Sequence, residues 1–365
     1  MSVCKDSYHP DARLLADNTK TGTTAHAFPM IEVAGSAYEM GYQHGVAAGE
    51  LVQRYLVWIE RLTGKLRDAL ADSAMAFLPH IEALSPPMVQ EIHGLADGAQ
   101  ISFEEAVLCQ VRAETTGVGE GGCTAFALVG EATEDGLPLA GQNQDLEPEY
   151  SDVAILLRVR PNDGRPRALM FTFAGQLGYS GMNEHGVATF TNALYNFESR
   201  PGLPHYPLKR VMLEQRTVNQ CIDVLRTHPA CTARNIVMAD GEGSIADVEV
   251  RPNRIVLFTD DRDCWRIHTN HYIATEFQKF EDGTLPDSPC RLDRMRDLIG
   301  QHWGRITVEH LKSFLSDHEG DPAGICRHGA DGMYSISGYV AEPAKGVLHV
   351  RRGHGCLGSW HAYAV

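Results

Sequence analysis

At about residue 115 the sequence changes texture, and that break limits the folds open to the chain more than any other feature. Upstream, Tyr38, Val46, Leu51, Val52, Tyr55, Leu56 and Ile59 recur at near-helical spacing, predicting a helix over 36–70 opened by a Ser36/Glu39 capping box. A second helical region covers 72–112, interrupted at Pro86-Pro87, and its last piece opens on the same relation between Ser102 and Glu105. Then comes TTGVGEGG (115–122), and beyond it the pattern turns to strands. Residues 123–145 read as two strands joined by a turn around Glu134-Asp135-Gly136. Strand-like runs follow at 153–160, 168–175, 187–194, 235–240, 245–250, 254–259, 334–340 and 346–352. Helices at 208–228, near 288–300 and at 307–316 fall between them, and residues 1–30 read as a polar, irregular arm. Long β-runs with grouped helices predict an α+β fold, sheet packed on sheet with helices outside.

Composition narrows the partners. A formal net charge of −15 and the absence of a long Lys/Arg run disfavour nucleic acid and anionic membrane. The first twenty residues lack a basic stretch followed by an apolar one, and no apolar run approaches the roughly 18 residues of a membrane span. The nine cysteines are dispersed without Cys-x-x-Cys, which reads as reduced thiols in a cytoplasm.

One cysteine stands apart. Cys123 opens the first strand after the glycine-rich stretch. If the Gly122–Cys123 bond breaks, a thiol and a free α-amine come to lie on one residue. The amine's reference pKa of about 7.7–8.0 is close to the thiol's ~8.5, so it can act as the local base and no histidine is required. Gly122, without a side chain, lets the thiol approach the preceding carbonyl.

The chain resembles the isopenicillin-N acyltransferase family of N-terminal-nucleophile (Ntn) hydrolases, distantly related to penicillin V acylases and bile salt hydrolases. The stretches that carry the likeness are GSAYEMGYQHG (35–45), GLADGAQISFEEAVLCQVRAE (94–114), GGCTAFAL (121–128), GQNQD (141–145), GMNEHGVATFTNAL (181–194), HTNHY (268–272) and GICR (324–327). The resemblance implies a four-layer αββα sandwich, with residues 1–122 released as a helical segment that stays attached to a catalytic core of residues 123–365. It implies Cys123 as the catalytic thiol, Asp145 as the acid beside its new amine, Asn270 as an oxyanion-hole donor and Asn192 as a donor to the oxyanion or substrate. The separation of Cys123 from Asp145 suits two adjacent strands of a hairpin.

The chain departs from family members that acylate the penicillin nucleus. It has Ala125 where they carry a second threonine and Arg251 where they carry a serine, and near Asp331 and Gly332 it lacks a downstream arginine. Arg251 reads as a clamp for a substrate carboxylate or as a solvated surface residue. The function expected is therefore a self-cutting cysteine amidohydrolase of a nonpeptide N-acyl amide. An acyl-CoA-dependent N-acyltransferase is the alternative, and an uncut binding protein of the same fold is a second. The partners expected are a small amide or acyl donor and the chain's own cleaved fragment, with oligomers open and no cofactor.

Other signals lead elsewhere. His268, His271, His354 and His361 invite a metal reading, but His-x-x-His on a strand points the two rings to opposite faces, so no metal is expected. GVGEGG (117–122) lacks the Gly-Lys-Ser/Thr of a phosphate loop and reads as a cleavable linker. His44 as the base of a papain-like cysteine fails because such a cysteine opens a helix, and Cys123 opens a strand.

Overall fold

Ser36 and Glu39 form the predicted capping box: the Ser36 hydroxyl accepts from the Glu39 N–H, and the Glu39 carboxylate accepts from the Ser36 N–H at 2.8 Å. They start helix α1 (Ala37–Thr63), which ends at Gly64 in the left-handed conformation, earlier than the predicted 70. Residues after it form α2 (Arg67–Ala74) and α3 (Leu78–Leu84). Pro86 and Pro87 do not merely interrupt a helix; they occupy the first turn of α4 (Pro86–Ala99), where the missing N–H groups cost nothing. The second capping box, Ser102 with Glu105, opens α5 (Phe103–Gln110), and α6 (Arg112–Thr116) follows. The computed structural model describes residues 27–116, 121–195, 202–252, 254–258, 264–281, 283, 285–329 and 332–365.

Helices α1 and α4 meet backbone to backbone. A Cβ on Gly41 would lie 1.9 Å from the Glu91 carbonyl oxygen, and one on Gly94 would lie 2.0 Å from that of Tyr38. The face α1 buries is therefore Met40, His44, Ala48, Val52, Tyr55, Leu56 and Ile59, together with Gly41 and Gly45. Tyr38 and Val46, predicted on the apolar stripe, are exposed at 41% and 60%.

Two sheets lie behind these helices. The eight-stranded one runs, in spatial order, β1 (Met30–Gly35), β4 (Ala154–Pro161), β5 (Ala168–Phe173), β6 (Ser180–Asn183), β7 (Ala188–Ala193), β8 (Arg234–Ala239), β9 (Ile245–Arg251) and β10 (Arg254–Phe258). Its one parallel pair is β1 with β4, so the N-terminal segment contributes a strand that the sequence did not announce. The six-stranded sheet runs β11 (Trp265–His268), β2 (Gly122–Leu128), β3 (Leu139–Leu146), β12 (Tyr334–Glu342), β13 (Val347–Arg352) and β14 (Trp360–Ala364). The sheets pack face to face: the rings of Phe190 and Tyr339 stack at 6.0 Å, and Phe171 meets Tyr339 at 5.3 Å.

Helices cover both outer faces. The N-terminal helices share a core with the eight-stranded sheet, and α7 (His205–Met212) and α8 (Val218–Thr227) bury Leu208, Met212 and Ile222 against Met238 and Val248. After β11 comes the short α9 (Thr275–Gln278), and on the other side α10 (Ser288–Gln301) and α11 (Val308–Phe314) bury Leu292, Met295 and Leu311 against Phe126 and Val340. The result is the four-layer αββα sandwich. The single helix predicted over 208–228 is two, because Thr217 caps a new start by accepting from the Gln220 N–H. Cys109, Cys123, Cys221, Cys231, Cys264, Cys326 and Cys356 are free thiols, whereas Cys290 is disulfide-bonded, against the reading of every cysteine as reduced. Among the described residues no helix is long and apolar enough to cross a membrane.

Candidate active site

Two glycines lead into strand β2, and the first has no room for a side chain. Gly121 has φ +23°, and a Cβ there would fall 1.9 Å from the Asp145 carbonyl oxygen. A Cβ on Gly122 would fall 2.8 Å from a guanidinium nitrogen of Arg327. This close approach lets β2 pair antiparallel with β3 as the hairpin reading expected, with Gly122 opposite Asp145 and Cys123 opposite Gln144. Cys123 is 1% exposed, and its Sγ accepts a hydrogen bond from Gln144 Nε2 at 3.3 Å.

The backbone of Cys123 is gripped on both sides. Its N–H donates to Asn270 Oδ1 at 2.8 Å. Its carbonyl accepts from Asn192 Nδ2 at 3.1 Å and from the Arg291 guanidinium at 2.7 Å. Arg291 also donates to Thr124 Oγ1 at 3.0 Å and to Asn270 Oδ1 at 2.8 Å, so a single guanidinium ties together three of the surrounding groups. Asn270 turns its NH₂ to the Ala193 carbonyl at 3.0 Å and presents oxygen, not nitrogen, to Cys123. Upstream, the Tyr195 hydroxyl donates to the Gly121 carbonyl at 2.8 Å, and burial with the nearby Cys123 thiol raises its pKa.

Two buried carboxylates and two guanidiniums surround this backbone. Asp145 Oδ1 accepts from Ser335 Oγ at 2.6 Å, while Oδ2 has no hydrogen-bond partner and lies 3.5 Å from where a Gly122 Cβ would be. Burial pushes the Asp145 carboxyl above its ordinary pKa, and Arg291 and Arg327 pull it part of the way back. Burial also opposes ionisation of Asp287, but Arg291 and Arg327, the latter donating at 2.7 Å, outweigh it and hold that carboxyl below its usual range. The arrangement fixes a thiol, the peptide group next to it and an unspent carboxylate oxygen within a preset field of donors.

Sequence reasoning thus named Cys123, Asp145, Asn192 and Asn270, which the structure brings together, and missed several of their partners. Gln144 was within reach, since the hairpin register that sets Asp145 opposite Gly122 sets Gln144 opposite Cys123. Arg327 lies in the quoted GICR stretch without having been given a role, and Arg291, Asp287, Ser335 and Tyr195 carried no signal. Arg251 engages different groups: it donates to the Tyr272 hydroxyl at 3.1 Å and lies 3.8 Å over the Phe280 ring. His44 accepts from the Gly175 N–H at 3.2 Å, and burial, assisted by Arg210, lowers its pKa to about 4, so it is a neutral structural group. His268 bonds Glu249 at 3.1 Å and His271 bonds Ser288 at 2.8 Å. Among the described residues these two do not join His354 and His361 in one cluster. Residues 117–120 of the linker, and Asp331, lie outside the described residues.

Known proteins give context. The chain is 22% identical over 350 residues to an uncharacterized protein of Archaeoglobus fulgidus, covering 78% of this chain and 57% of that one. It is 24% identical over 262 residues to the β-alanyl-dopamine/carcinine hydrolase of Drosophila melanogaster, covering 62% and 66%. The chain thus spans less than two thirds of either relative's length. Among solved structures, an N-acylethanolamine-hydrolyzing acid amidase ortholog of Caenorhabditis elegans aligns at 16% identity and a TM-score of 0.44, over 61% of this chain and 93% of that one. The sequence profile described as acyl-coenzyme A:6-aminopenicillanic acid acyl-transferase matches residues 132–350, which take in Asp145, Asn192, Asn270, Arg291 and Arg327 and begin just beyond Cys123. That match extends over more than half of the sequence, and the chain belongs to the acyl-coenzyme A:6-aminopenicillanic acid acyl-transferase family.

Proposed function

We propose that the protein cuts itself between Gly122 and Cys123 and then works as a cysteine Ntn amidohydrolase on a small nonpeptide N-acyl amide. The observation that carries this reading is the double grip on one residue's backbone, the Cys123 N–H held by Asn270 and its carbonyl by Asn192 and Arg291. An ordinary buried strand cysteine needs no such cage.

In the cut, Cys123 Sγ attacks the Gly122 carbonyl carbon, the carbon–nitrogen bond breaks, and the nitrogen takes up the thiol proton. Water then hydrolyses the thioester, leaving a Gly122 carboxylate and a free thiol beside a free amine. The unpartnered Oδ2 of Asp145 suits the new α-ammonium, orienting it and raising its proton affinity. In turnover, the amine takes the thiol proton and the thiolate attacks the substrate carbonyl. As the resulting alkoxide collapses, the leaving nitrogen takes the proton back from the α-ammonium and departs as an amine, and water then releases the acid from the Cys123 thioester. Asn192 already directs its NH₂ to this region, and Asn270 becomes an oxyanion donor by turning its carboxamide; one such donor is worth about 2.7–4 kcal/mol in the transition state. The enzyme works without cofactor, in the cytoplasm, on a small-molecule substrate. The fly relative makes β-alanyl-dopamine and carcinine the first substrates to assay.

Intact mass spectrometry and N-terminal sequencing test the cut. Two species dividing before residue 123, the second beginning Cys-Thr-Ala-Phe, are expected, with Cys123→Ala remaining whole and inert. A single full-length mass after long incubation would favour an uncut binding protein. The family's description favours one further reading, transfer of the acyl group from coenzyme A to an amine. Acyl-CoA consumption coupled to amine acylation would select it over simple amide hydrolysis.

A further inference from the structure

Three separate stretches converge beside the six-stranded sheet. His318 follows α11, Cys326 and His328 lie on the segment leading into β12, and Cys356 sits in the connection between β13 and β14. Their ligand atoms all lie within 4.8 Å of one another. His328 Nε2 is 3.0 Å from His318 Nε2, 3.5 Å from Cys326 Sγ and 3.4 Å from Cys356 Sγ. Atoms bound to one tetrahedral zinc, nitrogen at about 2.0–2.1 Å and sulfur at about 2.3 Å, stand roughly 3.3–3.8 Å from each other. Hydrogen bonding alone accounts poorly for this knot, because one imidazole nitrogen offers either a single proton or a single lone pair and cannot satisfy three neighbours.

We propose that His318, Cys326, His328 and Cys356 bind a zinc ion. The mixed sulfur and nitrogen donors select zinc over magnesium or calcium. Both cysteines release their thiol protons to solvent on binding, and the two thiolates balance the charge of the dication. Four protein ligands fill the tetrahedron and leave no open position, so the site is structural and not catalytic. The backbone is already set for it: the Cys326 N–H donates to the Asp317 carbonyl at 3.0 Å, and a Cβ on Gly355 would fall 2.4 Å from the Leu315 carbonyl oxygen.

The residue between two of the ligands is Arg327. Its N–H donates to Ser335 Oγ at 2.9 Å, Ser335 donates to Asp145, and its guanidinium reaches Asp287 at 2.7 Å beside Gly122. Zinc therefore fastens the loop that delivers Arg327 to Gly122 and ties it to the C-terminal strands.

The test uses untagged, reduced full-length protein, loaded with zinc chloride and dialysed against metal-free buffer. Elemental analysis is expected to find about one zinc per chain. His318→Ala and Cys356→Ser, both exposed and outside the candidate active site, are expected to bind far less zinc with unchanged far-UV circular dichroism. Cobalt(II) in the wild type should give the intense visible bands of a tetrahedral site and a thiolate-to-cobalt charge-transfer band, with Cys356→Ser losing much of the latter. A chelator should lower the Tm of the wild type but not of the variants. A wild type that retains no more zinc than the variants would overturn the proposal. So would a Cys326–Cys356 disulfide found by peptide mapping of protein prepared in the presence of zinc.

Discussion

Glu114, in α6, accepts from the His205 backbone N–H at 2.9 Å and meets the His205 ring at 2.7 Å, with its side chain wholly buried. Burial alone would raise its pKa, but the charge and hydrogen bonds of His205, together with Arg234, outweigh it and bring the carboxyl down from 4.5 to about 2. A depressed acid stabilises the fold above its unfolded pKa and loses that contribution as pH falls through the folded value, here from about 4.5 towards 2. The contribution is on the order of 3 kcal/mol. Urea unfolding of wild type and Glu114→Gln should therefore differ most above pH 5 and converge steadily below about 4.5; a gap that stays constant with pH would contradict this. Single residues also show what the sequence could reveal. Cys123 was legible from its place after the glycine-rich stretch together with the family resemblance, and Asp145 from the resemblance, with which the hairpin spacing agreed. Arg291 was not, because its arrival at Cys123 depends on how α10 packs, and the facing of Asn270 was not, because the oxygen and nitrogen of a carboxamide are not distinguished in a sequence.

Among the elements, the α1/α4 contact depends on having no side chains at the crossing. Gly41→Leu must push α1 away from the Glu91 carbonyl and should cost about 3 kcal/mol in urea unfolding, the upper part of the range for overpacking. Val46→Leu, on the 60% exposed surface of the same helix, should stay within about 0.5 kcal/mol of wild type. Equal effects from the two would refute the close crossing. The apolar periodicity identified α1 as a helix but assigned Tyr38 and Val46 to the wrong side, because at the crossing with α4 the buried face is marked by Gly41 and Gly45, and, Met40 apart, large apolar residues take it over only from Val52 onward. Caps were the more reliable signal: Ser36, Ser102 and Thr217 each accept from the N–H three residues on, and weighing Thr217 would have divided 208–228 correctly.

At the scale of the molecule, the stretch before the glycine-rich linker does not form a separate body. Its β1 hydrogen-bonds along β4, and its helices share one apolar core with the eight-stranded sheet. If the chain is cut before Cys123, both pieces should elute together on gel filtration and part only in denaturant; separation under native conditions would refute that. The order of layers was legible from the change of texture at about residue 115, whereas the pairing that carries β1 into the eight-stranded sheet depends on contacts across more than a hundred residues and left no local mark. The clamps around Cys123 carry one more consequence. Asn192 and Arg291 hold its carbonyl, which lies downstream of the bond that would be severed. A freshly made chain end would thus emerge already moored in its working position, and maturation would need no refolding step after the bond is broken.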